Sequence, residues 1–389
     1  MNGGRVQFVG VGGGGLRILS HLHGRWRDLP DLAVVHTNAA ALERCTIERR
    51  LAMGSGMTEG FSTGGDPEQG RRAAEESADE LRALWQDARW GCVVTSLGGG
   101  TGGGAAPVLC RLARETGTWT LAVCTLPFFF EGAVRRRRAE ESLHRLRATA
   151  DAVIVMPNQR LFEWVESDTP VARAFEVVDE VVSVALRSLW RLLTQRWLIH
   201  VDLADLRRMV RGADSGLAFA AFEAAGENRA SDLLLRVRES PLLERGNVVS
   251  AARGLLLAAV GGPDLTLSEL DRVYHGVSEL ARPDVEMCIG AAIDPEYEGR
   301  IGLTLLATER MPSESMSDSA ASPAADALHH PPPTEPAKKD PSRPPIQGTL
   351  PLETPGKGRF KGIEPTYFEG EDIDVPAFIR QGIRLSRAP

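Results

Sequence analysis

The chain has few of the features that mark secreted, membrane or nucleic-acid-binding proteins. It contains five cysteines in 389 residues, no CxxC pair, and no apolar run close to the roughly 18 residues of a membrane span. Its first residues show no apolar signal-peptide core. Its net charge of −7 is opposite in sign to the basic excess that nucleic-acid binding requires. We therefore expect a cytoplasmic protein with buried, reduced cysteines, no membrane insertion and no nucleic-acid partner.

Short apolar runs alternate with helical patterns over the first 160 residues. Continuous β-branched runs are typical of strands that are buried on both faces, and their alternation with helices predicts a parallel sheet covered on both sides. The predicted strands are Val6–Val9, Leu32–Val35, Cys92–Leu97, Thr120–Thr125 and Ala152–Val155, and the clearest helices are Gly70–Trp85 and Gly104–Thr116.

A longer helix follows. Asp168 to Pro170 predict its start, with a capping side chain and a proline, and Val171–Thr194 is apolar on nearly every side. We therefore expect a central helix packed between two domains. The next part, 216–309, predicts a smaller mixed unit with helices Arg229–Glu239 and Leu267–Glu279 and strands Gly254–Val260, Val285–Ile293 and Arg300–Ala307.

The last eighty residues change in composition. Met311–Leu350 has nine prolines and almost no large apolar side chains, which predicts a disordered linker over 311–349. The tail, 350–389, regains apolar residues within Asp374–Arg380. Such a segment on a long tether predicts a docking peptide, and a frayed terminus is the alternative.

Two glycine runs lie between a strand and a helix. Gly10–Gly15 precedes a helix that we expect to begin near Leu16, and it contains GxGxxG, but no carboxylate follows the second strand as a dinucleotide site requires. Gly98–Gly104 holds six glycines in seven residues. Two such loops can hold one polyphosphate from two sides, because helix N-termini attract anions.

The second loop resembles the GGGTG[ST]G signature of the tubulin/FtsZ family, and the chain is similar to the bacterial cell-division GTPase FtsZ over Val6–Thr308. Further matches are Pro127–Gly132, Pro157-Asn158, Val201–Asp205 and the tail peptide Asp374–Arg380. The resemblance implies an α/β fold with a parallel-sheet GTP-binding domain (1–170), a central helix leading into the catalytic loop (171–199) and a smaller mixed C-terminal GTPase-activation domain (200–310).

The resemblance also implies the ligand and its contacts. It implies that the chain binds GTP or GDP together with Mg²⁺, with Phe175 stacking on guanine and Asp179 and Glu180 accepting its N–H groups, and we expect no metal site formed by protein side chains. Arg17 departs from the family's first loop, and its guanidinium is expected to add a phosphate contact. The implied residues are Gly12, Gly13, Gly14, Gly15, Arg17, Gly64, Gly65, Asp66, Gly98, Gly99, Gly100, Thr101, Gly102, Gly103, Gly104, Glu131, Arg135, Asn158, Phe175, Asp179 and Glu180.

Asp202 and Asp205 are spaced i,i+3, which places both carboxylates on one face of a helix start. From the residues alone, Asp202 and Asp205 either stabilise a helix N-terminus through its dipole or form a catalytic pair, and the resemblance favours catalysis. A 24-residue helix is about 36 Å long, so these acids reach only a neighbouring subunit's nucleotide. The implied function is a GTPase that polymerises head to tail into filaments for septation, at the division site, with a membrane adaptor bound to the tail.

Three departures from the family pattern leave alternatives open. Asn38 and His200 replace an aspartate and an asparagine, and Gly103 lacks the signature hydroxyl. These changes are compatible with a paralogue that binds nucleotide and co-assembles but hydrolyses weakly. An NAD-dependent oxidoreductase, based on the first glycine loop alone, is the alternative from another class.

Overall fold

The computed structural model describes residues 5–164, 168–195, 197–201, 203–210, 216–308, 367–368 and 371–372. The chain divides into a unit of residues 1–316 and a unit of residues 317–389. The first unit holds an eleven-stranded sheet with the order β3-β2-β1-β4-β5-β6-β8-β11-β9-β10-β7. Its strands are β1 Arg5–Val11, β2 Asp31–His36, β3 Arg49–Ala52, β4 Ala88–Ser96, β5 Trp119–Leu126, β6 Ala152–Pro157, β7 Trp197–Ile199, β8 Leu217–Ala225, β9 Gly254–Gly261, β10 Glu286–Ile293 and β11 Arg300–Thr308.

Helices cover this sheet and connect its strands. They are α1 Gly12–Arg25, α2 Ala39–Glu43, α3 Ser55–Thr58, α4 Pro67–Glu76, α5 Ala78–Ala83, α6 Gly100–Glu115, α7 Ala133–Thr149, α8 Asn158–Leu161, α9 Val171–Thr194, α10 Leu203–Val210, α11 Arg229–Glu239, α12 Asn247–Ala251 and α13 Leu267–Ser278.

The sheet has a parallel half and a mixed half. Strands β1 to β6 all pair in parallel, as predicted. In the other half, β11 pairs antiparallel with β8 and β9, β9 pairs in parallel with β10, and β10 pairs antiparallel with β7. In the described part, one backbone pairing, Ile154 with Leu217, joins the halves. The predicted fold class is confirmed.

Alternate residues along each strand of the parallel half point to opposite faces of the sheet and so belong to two different cores. In β4, Cys92 and Val94 face the core that contains α1 and α9, whereas Val93 faces the core beneath α4 to α7. Both faces of the parallel half are therefore buried, which explains why its strands are continuously apolar. All five cysteines are free and buried, as predicted, and burial raises the pKa of Cys124 to about 12.

The central helix has the predicted bounds, Val171–Thr194. Its buried side chains belong to a core that also takes Leu256 and Leu306 from the mixed half, so the helix packs against both halves. Burial on every side was wrong, because Val171 is exposed and Trp190 is half-buried. The predicted cap was wrong as well, since Pro170 is the N-cap and no side chain caps the helix.

Other local differences have clear causes. The helices α1 and α6 begin at Gly12 and Gly100, so most of each glycine run lies in a first helical turn and not in a loop. The predicted helix Gly70–Trp85 is two helices, α4 and α5, divided at Ser77. The strands β3 and β8 were not predicted.

In the second unit, Tyr367–Phe368 pairs antiparallel with Glu371–Asp372. The predicted linker and the peptide Asp374–Arg380 lie outside the described residues. Within the described ranges, no helix combines the length and apolarity that crossing a bilayer requires.

Candidate functional site

A cleft of about 550 Å³ lies where the parallel strands end and α1 and α6 begin. Each strand of the parallel half delivers its following loop to this edge, which is the usual ligand edge of an open parallel sheet. The wall is formed by Gly13, Gly14, Arg17, His36, Ser62, Thr63, Gly65, Ser96, Leu97, Gly98, Gly99, Gly100, Thr101, Gly102, Thr125, Pro127, Glu131, Val134, Arg135, Arg138, Asn158 and Phe175.

The two glycine-rich helix starts touch each other at the floor of the cleft. Gly12 has a φ of +70°, and a Cβ atom there would lie 2.8 Å from the backbone nitrogen of Gly102. Only glycine satisfies both the conformation and this approach. The free N–H groups of two helix N-termini therefore converge on one cleft, as a polyphosphate site needs.

The glycines of these helices serve two different purposes. A Cβ atom on Gly100 would meet the Thr63 hydroxyl at 2.2 Å, and one on Gly104 would meet the Pro67 carbonyl at 1.9 Å, so both permit tight packing of α6. In contrast, a Cβ atom on Gly99 would have no atom within 4 Å, although Gly99 lines the cleft. Because Gly99 has no side chain, the space next to it in the cleft stays open.

Three arginines and one glutamate set the charge of the wall. Arg17, Arg135 and Arg138 line the cleft with Glu131. Glu131 accepts a hydrogen bond from the Phe128 N–H at 2.8 Å and forms an ion pair with Arg135 at 3.1 Å. Arg135 is paired with Glu131 inside the wall and Arg17 with Asp179 outside it, so the lining itself holds three arginines against one glutamate, an excess of positive charge that suits an anionic ligand.

His36 adds a neutral nitrogen to the wall. Its Nδ1 accepts the Asn38 N–H at 2.8 Å, so the hydrogen of the neutral ring resides on Nε2, which faces Gly13. Burial lowers the pKa of His36 below its ordinary value. The His36 ring therefore offers a hydrogen-bond donor to a ligand in the cleft.

Hydroxyl groups line the same region. The Thr101 hydroxyl lies 3.1 Å from that of Thr37 and 3.4 Å from that of Thr63, and all three side chains are buried. Asn38 lies outside the wall, where its side chain caps α2 by accepting the Ala41 N–H at 3.0 Å.

Aromatic rings close the other end of the cleft. Phe175, in the first turns of α9, packs edge to face against Phe128 with ring centroids 5.4 Å apart. The Arg17 guanidinium lies over the Phe175 ring, 5.2 Å from its centroid, and its Nε donates to Asp179 Oδ2 at 2.5 Å. Glu180 instead pairs with Arg25 at 2.6 Å.

Two acceptors near this end have no partner. The buried Asn158 Oδ1 and Asp179 Oδ1 receive no hydrogen bond from any described residue. Burial raises the pKa of Asp179 above its ordinary value, and Arg17 opposes that rise. A buried acceptor that lacks a donor costs about 1–3 kcal/mol, so both oxygens favour a ligand that supplies N–H groups.

Asp205, one of the two predicted catalytic residues, lies at the other end of α9. Asp205 is in the first turn of α10, half-buried, and accepts a hydrogen bond from Arg208 at 3.0 Å. Arg208 also contacts Glu286 at 3.1 Å. Asp202 lies outside the described residues.

Thirteen of the predicted ligand-binding residues lie in the cleft wall and eight do not. Those outside the wall are Gly12, Gly15, Gly64, Asp66, Gly103, Gly104, Asp179 and Glu180. A Cβ atom on Gly103 would point at Ser142 of α7, 2.6 Å from its hydroxyl.

Sequence reasoning missed wall residues that come from separate loops, among them His36, Thr63 and Arg138. The run of four arginines was the available signal for Arg138.

The described residues contain no group of three or more His, Cys, Asp or Glu side chains that could hold a metal ion. The absence of a metal site among the predicted residues stays a prediction, because Asp202 and other acids lie outside the described ranges.

Comparison with known proteins identifies the fold. Residues 5–166 match the family model described as Tubulin/FtsZ family, GTPase domain, and residues 216–310 match FtsZ family, C-terminal domain. Cell division protein FtsZ 1 of Archaeoglobus fulgidus is 38% identical over 304 residues, which are 78% of this chain and 81% of that protein. The chain belongs to the FtsZ family.

Other FtsZ proteins agree with this. FtsZ of Methanothermobacter thermautotrophicus is 37% identical over 303 residues, or 78% of each chain. A solved FtsZ dimer of Methanocaldococcus jannaschii superposes with a TM-score of 0.72 at 34% identity, covering 79% of this chain and 89% of that one. The protein is therefore a tubulin-like GTPase of the FtsZ cell-division family, and the oxidoreductase alternative is wrong.

Proposed function

We propose that this protein polymerises head to tail into filaments for cell division and hydrolyses GTP at the interface between subunits. The observation that carries this proposal is the separation of the cleft from Asp205 by the whole of α9, 24 residues or about 36 Å. A group that far away cannot act on its own subunit's nucleotide. A heterologous contact that does not close into a ring brings the two ends together and produces a filament.

The cleft suits the nucleotide in three ways. Its floor offers N–H groups from two helix starts, its wall is rich in arginine, and its aromatic end offers Phe175 with the unpartnered Asn158 Oδ1. We assign the phosphates to the glycine and arginine part, and the base to the aromatic end.

Catalysis at the interface needs positioning and charge stabilisation more than covalent chemistry. In this proposal, Asp205 and Asp202 of one subunit orient the attacking water at the γ-phosphate held by the next. Arg208 holds the Asp205 carboxylate in place. Mg²⁺ enters with the nucleotide as part of the substrate, since magnesium bound to nucleotides is held mainly by phosphate oxygens and water.

The tail and the location complete the proposal. A membrane adaptor would bind Asp374–Arg380, whose apolar residues follow a proline-rich stretch. The filament would then lie in the cytoplasm at the division site. The dimeric FtsZ structure supports self-association, and the names of the relatives support a role in cell division.

The shared site is tested by mixing two defective proteins. Asp205→Ala leaves the cleft intact but lacks a catalytic acid, and Gly99→Ala keeps the acid but places a methyl group in the cleft. We expect the mixture to hydrolyse GTP faster than the sum of the separate variants, once co-sedimentation shows that both are in the filament. No gain in a verified mixed filament would contradict catalysis between subunits.

Activity as a function of protein concentration tests the weakly hydrolysing alternative. Assembly-dependent catalysis predicts that turnover per subunit rises steeply above a threshold concentration. A paralogue that only co-assembles would stay inactive alone at every concentration and would bind GTP all the same.

A further inference from the structure

Arg17 occupies the aromatic end of the cleft in a way that imitates a guanine base. Its planar guanidinium lies over the Phe175 ring at 5.2 Å and donates an N–H to the Asp179 carboxylate at 2.5 Å. A guanine base seated there would make the same two kinds of contact, a stacked plane and N–H donors toward the carboxylate. We propose that Arg17 competes with the guanine base for one position, the base seat formed by Phe175 and Asp179, and that GTP must displace Arg17 to bind.

This inference rests on the proposed function, because it takes Phe175 and Asp179 as the base seat. Three features of the described residues support the competition. The Asp179 side chain is 5% exposed while that of Arg17 is 47% exposed, so the arginine covers the acid on the cleft side. Arg17 lines the cleft, whereas Asp179 does not. A base can therefore reach Asp179 only after Arg17 moves.

The seat remains incompletely satisfied with Arg17 in it. One nitrogen of the guanidinium bonds to one carboxylate oxygen, which leaves Asp179 Oδ1 without a donor among the described residues. Guanine offers N1–H and N2–H side by side and can supply donors to both oxygens. Replacement of Arg17 by guanine at Asp179 is therefore favourable. Each binding event must first break the contacts that Arg17 makes with Asp179 and Phe175.

Competition of this kind lowers the apparent affinity by the fraction of molecules in which the seat is open. The reduction applies to any ligand that needs the base seat. It does not apply to a ligand that binds only the phosphate part of the cleft. Inorganic tripolyphosphate is such a ligand, so it separates the two effects.

The test compares GTP and tripolyphosphate binding to the full-length chain and to Arg17→Met, below the concentration at which filaments form. We expect GTP to bind at least threefold more tightly to the variant, and tripolyphosphate to bind equally to both. Arg25→Met is the matched control, because Arg25 links the same two helices through Glu180, at 2.6 Å, outside the cleft wall. It should change neither constant.

Each other outcome overturns the proposal. If both ligands bind Arg17→Met more weakly, Arg17 contacts phosphate. If GTP alone binds more weakly, Arg17 holds the base. If nothing changes, Arg17 does not compete. A wild-type chain that binds tripolyphosphate but not GTP would instead contradict the nucleotide site itself.

A second variant covers the case in which Arg17→Met does not fold, since it leaves a buried carboxylate unpaired. Arg17→Lys keeps a cation for Asp179 but has no planar group to lie over Phe175. We expect it to tighten GTP binding in the same direction, to a smaller extent, with tripolyphosphate binding as the measure of an intact cleft. Weaker GTP binding to Arg17→Lys would overturn the proposal equally.

Discussion

The two ends of α9 differ in how completely a single chain builds them. At one end, loops that follow several strands and the starts of α1 and α6 enclose a cleft of about 550 Å³. At the other, Asp205 lies on the eight-residue helix α10, held by Arg208. The comparison shows that a single chain encloses the cleft but places Asp205 at the opposite end of α9, so that under the proposed function a second subunit completes the hydrolytic site.

The largest effect is expected at the enclosed end. Gly99→Ala places a methyl group in open space within the cleft, so the fold should tolerate it while a phosphate should not. We expect GTP to bind about 10- to 100-fold more weakly, which corresponds to about 1–3 kcal/mol of overpacking. Titration with GTP measures this.

Gly24→Ala in α1 is the matched control, because a Cβ atom there also meets nothing within 4 Å but lies outside the cleft wall. It should leave GTP binding unchanged and raise the free energy of unfolding by up to about 1 kcal/mol, since alanine favours helix. Equal GTP affinity in Gly99→Ala and wild type would show that no phosphate approaches Gly99.

A moderate effect is expected at the other end. Arg208→Met removes the donor that lies 3.0 Å from the Asp205 carboxylate, so the carboxylate should sample other orientations. An exposed ion pair contributes at most about 1 kcal/mol, so turnover in filaments should slow by up to about fivefold. GTP affinity should not change, because Arg208 lies at the far end of α9.

Arg272→Met, on the exposed face of α13, is the control for removal of a surface arginine. A steady-state GTPase assay and a binding titration on the same samples separate the two ends. A changed GTP affinity in Arg208→Met would mean that the two ends are coupled within one subunit.

The smallest effect concerns pH and His36. Burial lowers the pKa of His36, so the unfolded chain binds more protons than the folded one below its ordinary value of 6.5. Nucleotide-free protein should therefore lose stability as pH falls through that value. A bound polyphosphate near Nε2 favours the charged ring, so GTP affinity should rise over the same range.

His36→Gln keeps a polar side chain but does not titrate. Thermal unfolding without nucleotide and GTP titration between pH 7.5 and about 6 should both show a smaller pH dependence in this variant than in wild type. If the two proteins respond to pH identically, His36 does not face the phosphates.

Local pattern was sufficient for five of the six strands of the parallel half and for the bounds of α9. The apolar runs around Val9, Val94 and Val123 are short and continuous, because both faces of each strand are buried. The strand β8 was missed because five of its nine residues are alanine, which favours helices. Its strand conformation comes from pairing with β11, a contact between residues about 80 positions apart that no local pattern contains.

The site was predicted as far as its motifs extend. The glycine runs stand out by their residue type and Phe175 was assigned through the family resemblance, whereas Thr63 and Arg138 reach the cleft only through the placement of separate loops. The family resemblance assigned Asp179 and Glu180 together to the base. One residue further along a helix is a rotation of about 100°, which turns Glu180 toward Arg25 and away from the cleft.

Within the described residues, one backbone pairing, Ile154 with Leu217, joins the two halves of the sheet, and this bears on how the protein unfolds. The ladders on either side of it are long, whereas the described residues show one paired position at the junction, so side-chain burial around α9 is expected to contribute most of what joins the halves. Each ladder should then open as a separate cooperative unit in native-state hydrogen exchange. Amides of β4 and β9 are expected to become exchangeable at different denaturant concentrations, with α9 released along with the less stable of the two.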